Sequence, residues 1–149
     1  MIFISHRGNL YGKDTETENS TKSIDTALSL GFDVEVDIWF KDNSFHLGHD
    51  RPQYPIDKEY LVNPKIWCHL KNEEALLTLK DLKIDIHYFW HEQDQYTITS
   101  KGYIWSYIGM PISKYSICVL PEKTNNILQN IKHSLGICSD EIALYKEKI

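Results

Sequence analysis

The run Asp33-Val34-Glu35-Val36-Asp37-Ile38 alternates acid with aliphatic residue by residue, and this alternation constrains the fold more than any other feature of the chain. In a β-strand a period of two sends Asp33, Glu35 and Asp37 to one face and Val34, Val36 and Ile38 to the other. The aliphatic face has to be covered by helices. Carboxylates crowded on the opposite face repel one another and resist ionisation when desolvated, a conflict that a hard divalent cation would relieve. An isolated Glu-x-Asp is a common pattern whose ordinary explanation is a solvated strand face, so the neighbouring elements must decide.

Those neighbours alternate between strand and helix. Strands are expected over Ile2–Ser5, Asp33–Ile38, Ser44–Leu47, Ile66–Leu70, Asp85–Trp90, Tyr96–Thr99, Tyr103–Ser106, Ser116–Val119 and Gly136–Cys138. Ser20–Leu30 carries Ile24, Ala27 and Leu28 at helical spacing, with Ser20 or Thr21 as N-cap and Gly31 as terminator. Glu73–Leu82 and Thr124–His133 each place apolar residues on one stripe and read as covering helices. Tyr96–Tyr107 reads as an antiparallel hairpin turning at Ser100-Lys101-Gly102.

A strand-helix-strand rhythm calls for parallel strands with right-handed crossovers. A full eight-unit barrel takes ~250 residues. With 149 residues, the expected architecture is a single α/β domain over 1–149, a compact, reduced TIM-like (β/α) barrel with several outer helices shortened or missing. Such a shortened barrel leaves edge strands able to pair with a second copy, so a homodimer is compatible with the pattern.

The charge balance narrows the partners. A net charge of −5 without a long Lys or Arg run gives no footprint for nucleic acid, and no apolar run reaches membrane length, so neither nucleic acid nor stable membrane insertion is expected. The opening residues lack the features of a signal peptide, which points to the cytoplasm. Cys68, Cys118 and Cys138 are odd in number, widely spaced and set among apolar neighbours, as buried thiols rather than a disulfide framework.

Active sites of parallel barrels lie at the carboxyl ends of the strands. The first strand ends in His6-Arg7-Gly8: an imidazole that titrates near neutrality, a guanidinium fork suited to phosphate, and a glycine that lets backbone approach a ligand. His49-Asp50 follows another strand end, and two histidines flanking a phosphodiester could exchange acid and base roles. His46, out of phase with Leu47, reads as surface or structural. Asp85, His87, Phe89 and His91 share a strand face; His91, at its carboxyl end, either completes a metal shell or shapes the substrate mouth, whereas His87 lies deeper as a structural residue. Trp105 either packs the core or lines a substrate site.

Taken in order, His6-Arg7-Gly8, Glu18-Asn19-Ser20, Glu35-Val36-Asp37 and His49-Asp50 resemble the signature of the glycerophosphodiester phosphodiesterases, within the phospholipase C-like phosphodiesterase barrels. Gly136-Ile137-Cys138-Ser139-Asp140 is similar to that family's closing strand, while the middle of the chain is poorly covered. The resemblance implies hydrolysis of a small-molecule phosphodiester, a glycerophosphodiester or a sugar-alcohol phosphodiester. His6 and His49 would act as base and acid, Arg7 would hold phosphate, Glu35 and Asp37 would bind Mg or Ca, and Glu18 would join the metal or its waters; read from their own positions, Lys71 is expected to contact phosphate, and His91 and Trp105 the substrate. The third strand departs from the family's Glu-x-Lys, having His69-Leu70-Lys71. His69 as a ligand would move preference towards Mn or Zn. Two alternatives stand beside this expectation: a noncatalytic phosphodiester- or sugar-phosphate-binding domain whose metal site has decayed at His69, and a metal-independent lyase in which Arg7 and Lys71 carry the charge.

Overall fold

A computed structural model describes residues 1–124 and 131–149. The chain forms a mixed α/β structure in which one curled sheet carries three α-helices among the described residues. Its strands are β1 (Ile2–His6), β2 (Asp33–Lys41), β3 (Ser44–Leu47), β4 (Tyr54–Ile56), β5 (Ile66–Leu70), β6 (Tyr88–Phe89), β7 (Tyr96–Ile98), β8 (Ile104–Ser106), β9 (Ser116–Val119) and β10 (Gly136–Ser139). The helices are α1 (Thr21–Ser29), α2 (Glu73–Leu82) and α3 (Ile142–Lys148).

Parallel pairing runs β8-β9-β10-β1-β2-β5-β6, so the first strand lies between the second and the last. The two margins of the curl meet where Ser100 N donates to Tyr88 O at 2.7 Å and Tyr88 N donates to Ser100 Oγ at 2.9 Å. β2 is the branch point. One flank lies along β5 (Asp37 beside His69), while the other pairs first with β1 (Glu35 beside His6) and then antiparallel with β3.

Alternation decides which residues fill each layer. Val34, Val36 and Ile38 are fully buried against Ile24 and Ala27 of α1 and Ala75 and Leu79 of α2. The opposite face lines the inside of the curl, where Ile4, Trp67, Phe89, Trp105, Ile117 and Cys138 form a second cluster. Burial of so many aliphatic and aromatic side chains on both faces is the main stabilising term, at roughly 25 cal/mol per Å² of apolar surface removed from water. Ser20 caps α1, its Oγ accepting from Ser23 N at 3.2 Å, and Gly31 ends the helix with φ of 88°. The Asn72 amide ahead of α2 bonds both polar groups of the Phe40 backbone, extending the β2 ladder where strand pairing stops.

Several expectations need correcting. Asp85–Trp90 is a strand only at Tyr88–Phe89, because Ile86 N turns back to Ile84 O at 3.0 Å and Ser100 takes the polar groups of Tyr88. β2 runs to Lys41 rather than ending at Ile38, since β3 supplies a second partner. β4, with Pro55 at its centre, and α3 were not expected. The helix expected over Thr124–His133 spans 125–130, outside the described residues. Cys68, Cys118 and Cys138 are free and buried, as expected.

Candidate functional site

Parallel strands of one curl bring their carboxyl ends together, and β1, β2, β5, β8 and β9 enclose there a cleft of about 340 Å³. After β1 the chain leaves the sheet in left-handed conformations at Arg7 (φ 56°) and Gly8 (φ 86°). A Cβ on Gly8 would lie 2.5 Å from Ser23 Oγ and 2.9 Å from its backbone carbon, so only glycine fits under α1. Arg7 is fixed by its backbone, its N donating to Glu35 O and its O accepting from Asn19 N, both at 2.9 Å.

His6 is 7% exposed, and its Nδ1 lies 2.7 Å from Asp140 Oδ1. A carboxylate there fixes the tautomer with hydrogen on Nδ1 and leaves Nε2 as a base facing the cleft, 3.8 Å from Glu35 Oε2. Burial pulls the pKa of His6 below its usual value despite the opposing pull of Asp140. Asp140 is itself held on several sides: Asn9 Nδ2 donates to its Oδ1 at 2.8 Å, and its N donates to Glu122 Oε1 at 2.9 Å. The second oxygen of Glu122 accepts from Ser139 Oγ at 2.9 Å. Buried in its middle and braced at both ends, this chain of bonds holds the imidazole in one orientation.

Beside it, Glu35, Asp37 and His69 offer ligand atoms within 4.8 Å of one another. His69 Nδ1 is 3.2 Å from Asp37 Oδ1 and 3.7 Å from Glu35 Oε1. His69 Nε2 lies 3.0 Å from the carbonyl of His91, an obligate acceptor, so Nε2 carries the proton. In the neutral ring, Nδ1 is therefore a lone pair aimed at two acids. A lone pair facing carboxylates is repulsive unless a proton or a metal lies between them, and a second-shell carbonyl on the far nitrogen is the usual support of a ligating imidazole.

Among the described residues, the side-chain oxygens Glu35 Oε2, Asp37 Oδ1 and Glu18 Oε2 are buried with no hydrogen-bond donor. Burial and the neighbouring Asp37 push Glu35 well above the usual carboxylate range, with Arg7 and Lys71 opposing. Burial also opposes ionisation of Asp37, but His69 when it carries a proton on Nδ1, together with Arg7 and Lys71, outweighs it and holds that carboxyl far below the range. Two adjacent acids driven in opposite directions form a site that ionises fully only with added positive charge. Two carboxylates and an imidazole are a donor set that fits a divalent metal, and Glu35 and Asp37 each keep a buried oxygen without a donor, whereas Glu18 lies outside that set.

The protein also supplies cations of its own. Arg7 Nε is 2.8 Å from Asp37 Oδ2, close enough for an ion pair although misaligned for a hydrogen bond, and Arg7 Nη1 donates to Glu18 Oε1 at 3.3 Å. Lys71 Nζ is 3.6 Å from Asp37 Oδ1. Glu18 thus reaches the cluster through Arg7, and Lys71 through Asp37.

The remaining expected residues gather at the same cleft, lined by His49, His91 and Trp105 together with His6, Arg7 and Glu35. His49 stands on the turn after β3, its Nδ1 2.7 Å from Asp50 Oδ1. That turn is locked by Gly48, at φ 146°, whose N donates to Asp37 O at 3.1 Å and whose O accepts from Trp39 Nε1 at 2.6 Å. The His91 ring lies 5.5 Å from His69 and 5.4 Å from Tyr107. Trp105, only 4% exposed, packs 4.5 Å from Phe89 and so forms the floor of the cleft. His87 lies towards the other end of the strands, bonded to Thr99 Oγ1 at 2.8 Å, in keeping with a structural role.

Sequence reasoning did not single out Asp140, Asn9, Asn19 or Glu122 as part of the site. Asp140 and Asn19 each carried a signal, the closing-strand motif and Glu18-Asn19-Ser20, but neither was given a role of its own. No family model, no curated protein and no solved structure matches this chain. Its function is therefore argued from geometry.

Proposed function

We propose that the chain hydrolyses a small phosphodiester, with a divalent metal held by Glu35, Asp37 and His69, on a reduced TIM-like barrel of the glycerophosphodiester phosphodiesterase type. One observation carries the reading: a buried acid-acid-imidazole set with donorless oxygens lies beside a His held in its basic tautomer by Asp140. His6 Nε2 removes a proton from a water molecule as its oxygen bonds to phosphorus. His49 returns one to the departing alkoxide, so the P–O bond breaks without release of a free alkoxide. Arg7 and Lys71 face the negative phosphoryl oxygens, and Glu18 keeps the Arg7 fork in place.

A bound divalent ion would offset the charge that develops on those oxygens. Imidazole in the donor set favours Mn or Zn over Mg or Ca. The substrate is a small molecule rather than a nucleic acid, as the net charge of −5 favours no polyanion. Among the described residues, no helix is long and apolar enough to cross a membrane. A cytoplasmic setting suits three buried free thiols, which burial pushes to high pKa.

The deciding experiment measures turnover of bis(p-nitrophenyl) phosphate and glycerophosphodiesters by metal-stripped protein, with Mg, Ca, Mn or Zn returned. Metal-dependent hydrolysis that disappears in both His6→Ala and Asp37→Ala is expected. Because Arg7 and Lys71 both lie on Asp37, a metal-independent lyase is the second reading. Chelator-resistant turnover to a cyclic phosphate would replace the first reading with it. Phosphodiester binding without turnover under any metal would leave a noncatalytic binding domain.

A further inference from the structure

The cations of the site fall into two groups. Arg7 and Lys71, at the ends of β1 and β5, are engaged by Asp37 and Glu18. Lys13 and Lys123 line the same cleft from the segments that follow β1 and β9. Among the described residues, neither of these two forms an ion pair. Both segments are fastened to the end of β10. Gly12 N donates to Asp140 O at 2.9 Å and Asp14 N donates to Asn9 Oδ1 at 3.2 Å, so Lys13 is held through both of its chain neighbours. Lys123 N donates to Leu120 O at 3.0 Å, and Glu122 just before it accepts from Ser139 Oγ and Asp140 N. Burial opposes ionisation of Asp140, but its bonds to His6 and Asn9 and the nearby charge of Lys123 hold its carboxyl below the usual range.

The acids near these lysines are committed elsewhere: Asp140 Oδ1 to His6 and Asn9, and both oxygens of Glu122 to donors of β10 and Asp140. Glu92, also in the lining, stands on the segment after β6. Two ammonium groups brought by separate segments to one cleft, with no acid paired to either, raise its positive potential and favour an anion. Resting on the phosphodiesterase reading, we infer that the substrate carries a second anionic group, a carboxylate or a phosphomonoester, which Lys13 and Lys123 receive at the ends of β9 and β10 while the phosphodiester faces Arg7 and the metal ligands. An ammonium on a flexible stem meets such an oxyanion as a point charge. The cleft volume, about 340 Å³, places both anions on one short carbon skeleton. Both lysines are exposed, so water screens them, and they contribute selectivity and salt-sensitive capture more than raw affinity.

The test compares glycerol 3-phosphate with 3-phosphoglycerate and glycerol bisphosphate by calorimetry on the metal-loaded protein, in wild type, in Lys13→Gln, in Lys123→Gln and in the double variant. At least one of the two more anionic esters should bind on the order of tenfold tighter than glycerol 3-phosphate at low salt, the better one naming the anion, and added salt should shrink the preference. Each substitution should weaken the preference, and the two together should erase it. Both side chains are exposed, so the variants keep the fold. A preference that survives the double substitution would put the second anion on the metal and overturn the inference. Equal affinity of all three esters in wild type would also overturn it and leave the phosphate site standing. Binding of no ester, with inorganic phosphate also silent, would overturn both readings.

Discussion

Asn19 grips Asp37 at two points: its Nδ2 donates to Asp37 Oδ2 at 3.0 Å, and its Oδ1 accepts from the Asp37 backbone N at 3.0 Å. Asn19 is fully buried with φ of 62°, a conformation that Asn tolerates better than most residues. Asn19→Ala would strand a buried N–H and half of a buried carboxylate, and would strain the backbone. A loss of roughly 2–4 kcal/mol is expected, measured as a lower urea midpoint at unchanged m-value.

Metal binding should appear as stability. A ligand that binds only the folded state at a hundredfold its Kd contributes about 2.7 kcal/mol. Mn or Zn should therefore raise the melting temperature of chelator-treated protein by several degrees. His69→Ala and Asp37→Asn should each remove the rise, and an equal rise in both variants would argue against these ligands.

In the proposed reaction Asp140 acts through His6 without touching substrate. Asp140→Asn keeps the shape but no longer favours hydrogen on Nδ1, so kcat is expected to fall by roughly 10²–10⁴ with little change in KM. The pH–rate profile should shift with it, because the carboxylate is among the groups that raise the pKa of His6 against burial. A KM effect alone would point to a merely structural role.

His87 gives a pH dependence that is independent of the cleft. Burial, helped by Lys101, lowers its pKa to about 4. The unfolded state, at about 6.5, takes up a proton that the folded state refuses, so stability is full above about 6.5 and falls as pH drops towards 4. Allowing for screening by water at that partly open end, the loss is on the order of 1–2 kcal/mol. His87→Asn should flatten the dependence between pH 4 and 6.5 in urea titrations.

Gly48 keeps His49 where it is. A Cβ there would collide with the Arg51 carbonyl, and the φ of 146° suits no other residue. Gly48→Ala is expected to cut kcat more than tenfold while circular dichroism stays unchanged, because only the β3–β4 turn has to move.

How much of this could be read from the sequence depended on distance along the chain. The faces of β2 were legible because Val34 and Glu35 are adjacent and strand geometry alone separates them. Ser20 and Gly31 were legible because caps are local chemistry. The Tyr96–Tyr107 hairpin turned at Gly102, φ 84°, as its residues required. Pro55 hid β4, since proline speaks against a strand, yet β4 is the sheet's margin, where a missing N–H is harmless. Asp140 and Asn19 lay within quoted motifs, but their bonds to His6 and Asp37 could not be seen. They depend on the left-handed turn at Asn19 and on a contact between residues 134 positions apart, neither of which leaves a local pattern.

That long separation bears on how the molecule is made. β1 leaves the ribosome well before β10, yet it docks between β2 and β10, so one of its edges lacks this partner until the residues of β10 emerge. Until then His6 lacks Asp140, and nascent chains present an open row of backbone donors and acceptors to one another. Chains stalled before Gly136 should therefore be prone to aggregate and, on the proposed reading, inactive, while synthesis of β10 and Asp140 both joins the sheet across β1 and gives the proposed base its carboxylate partner.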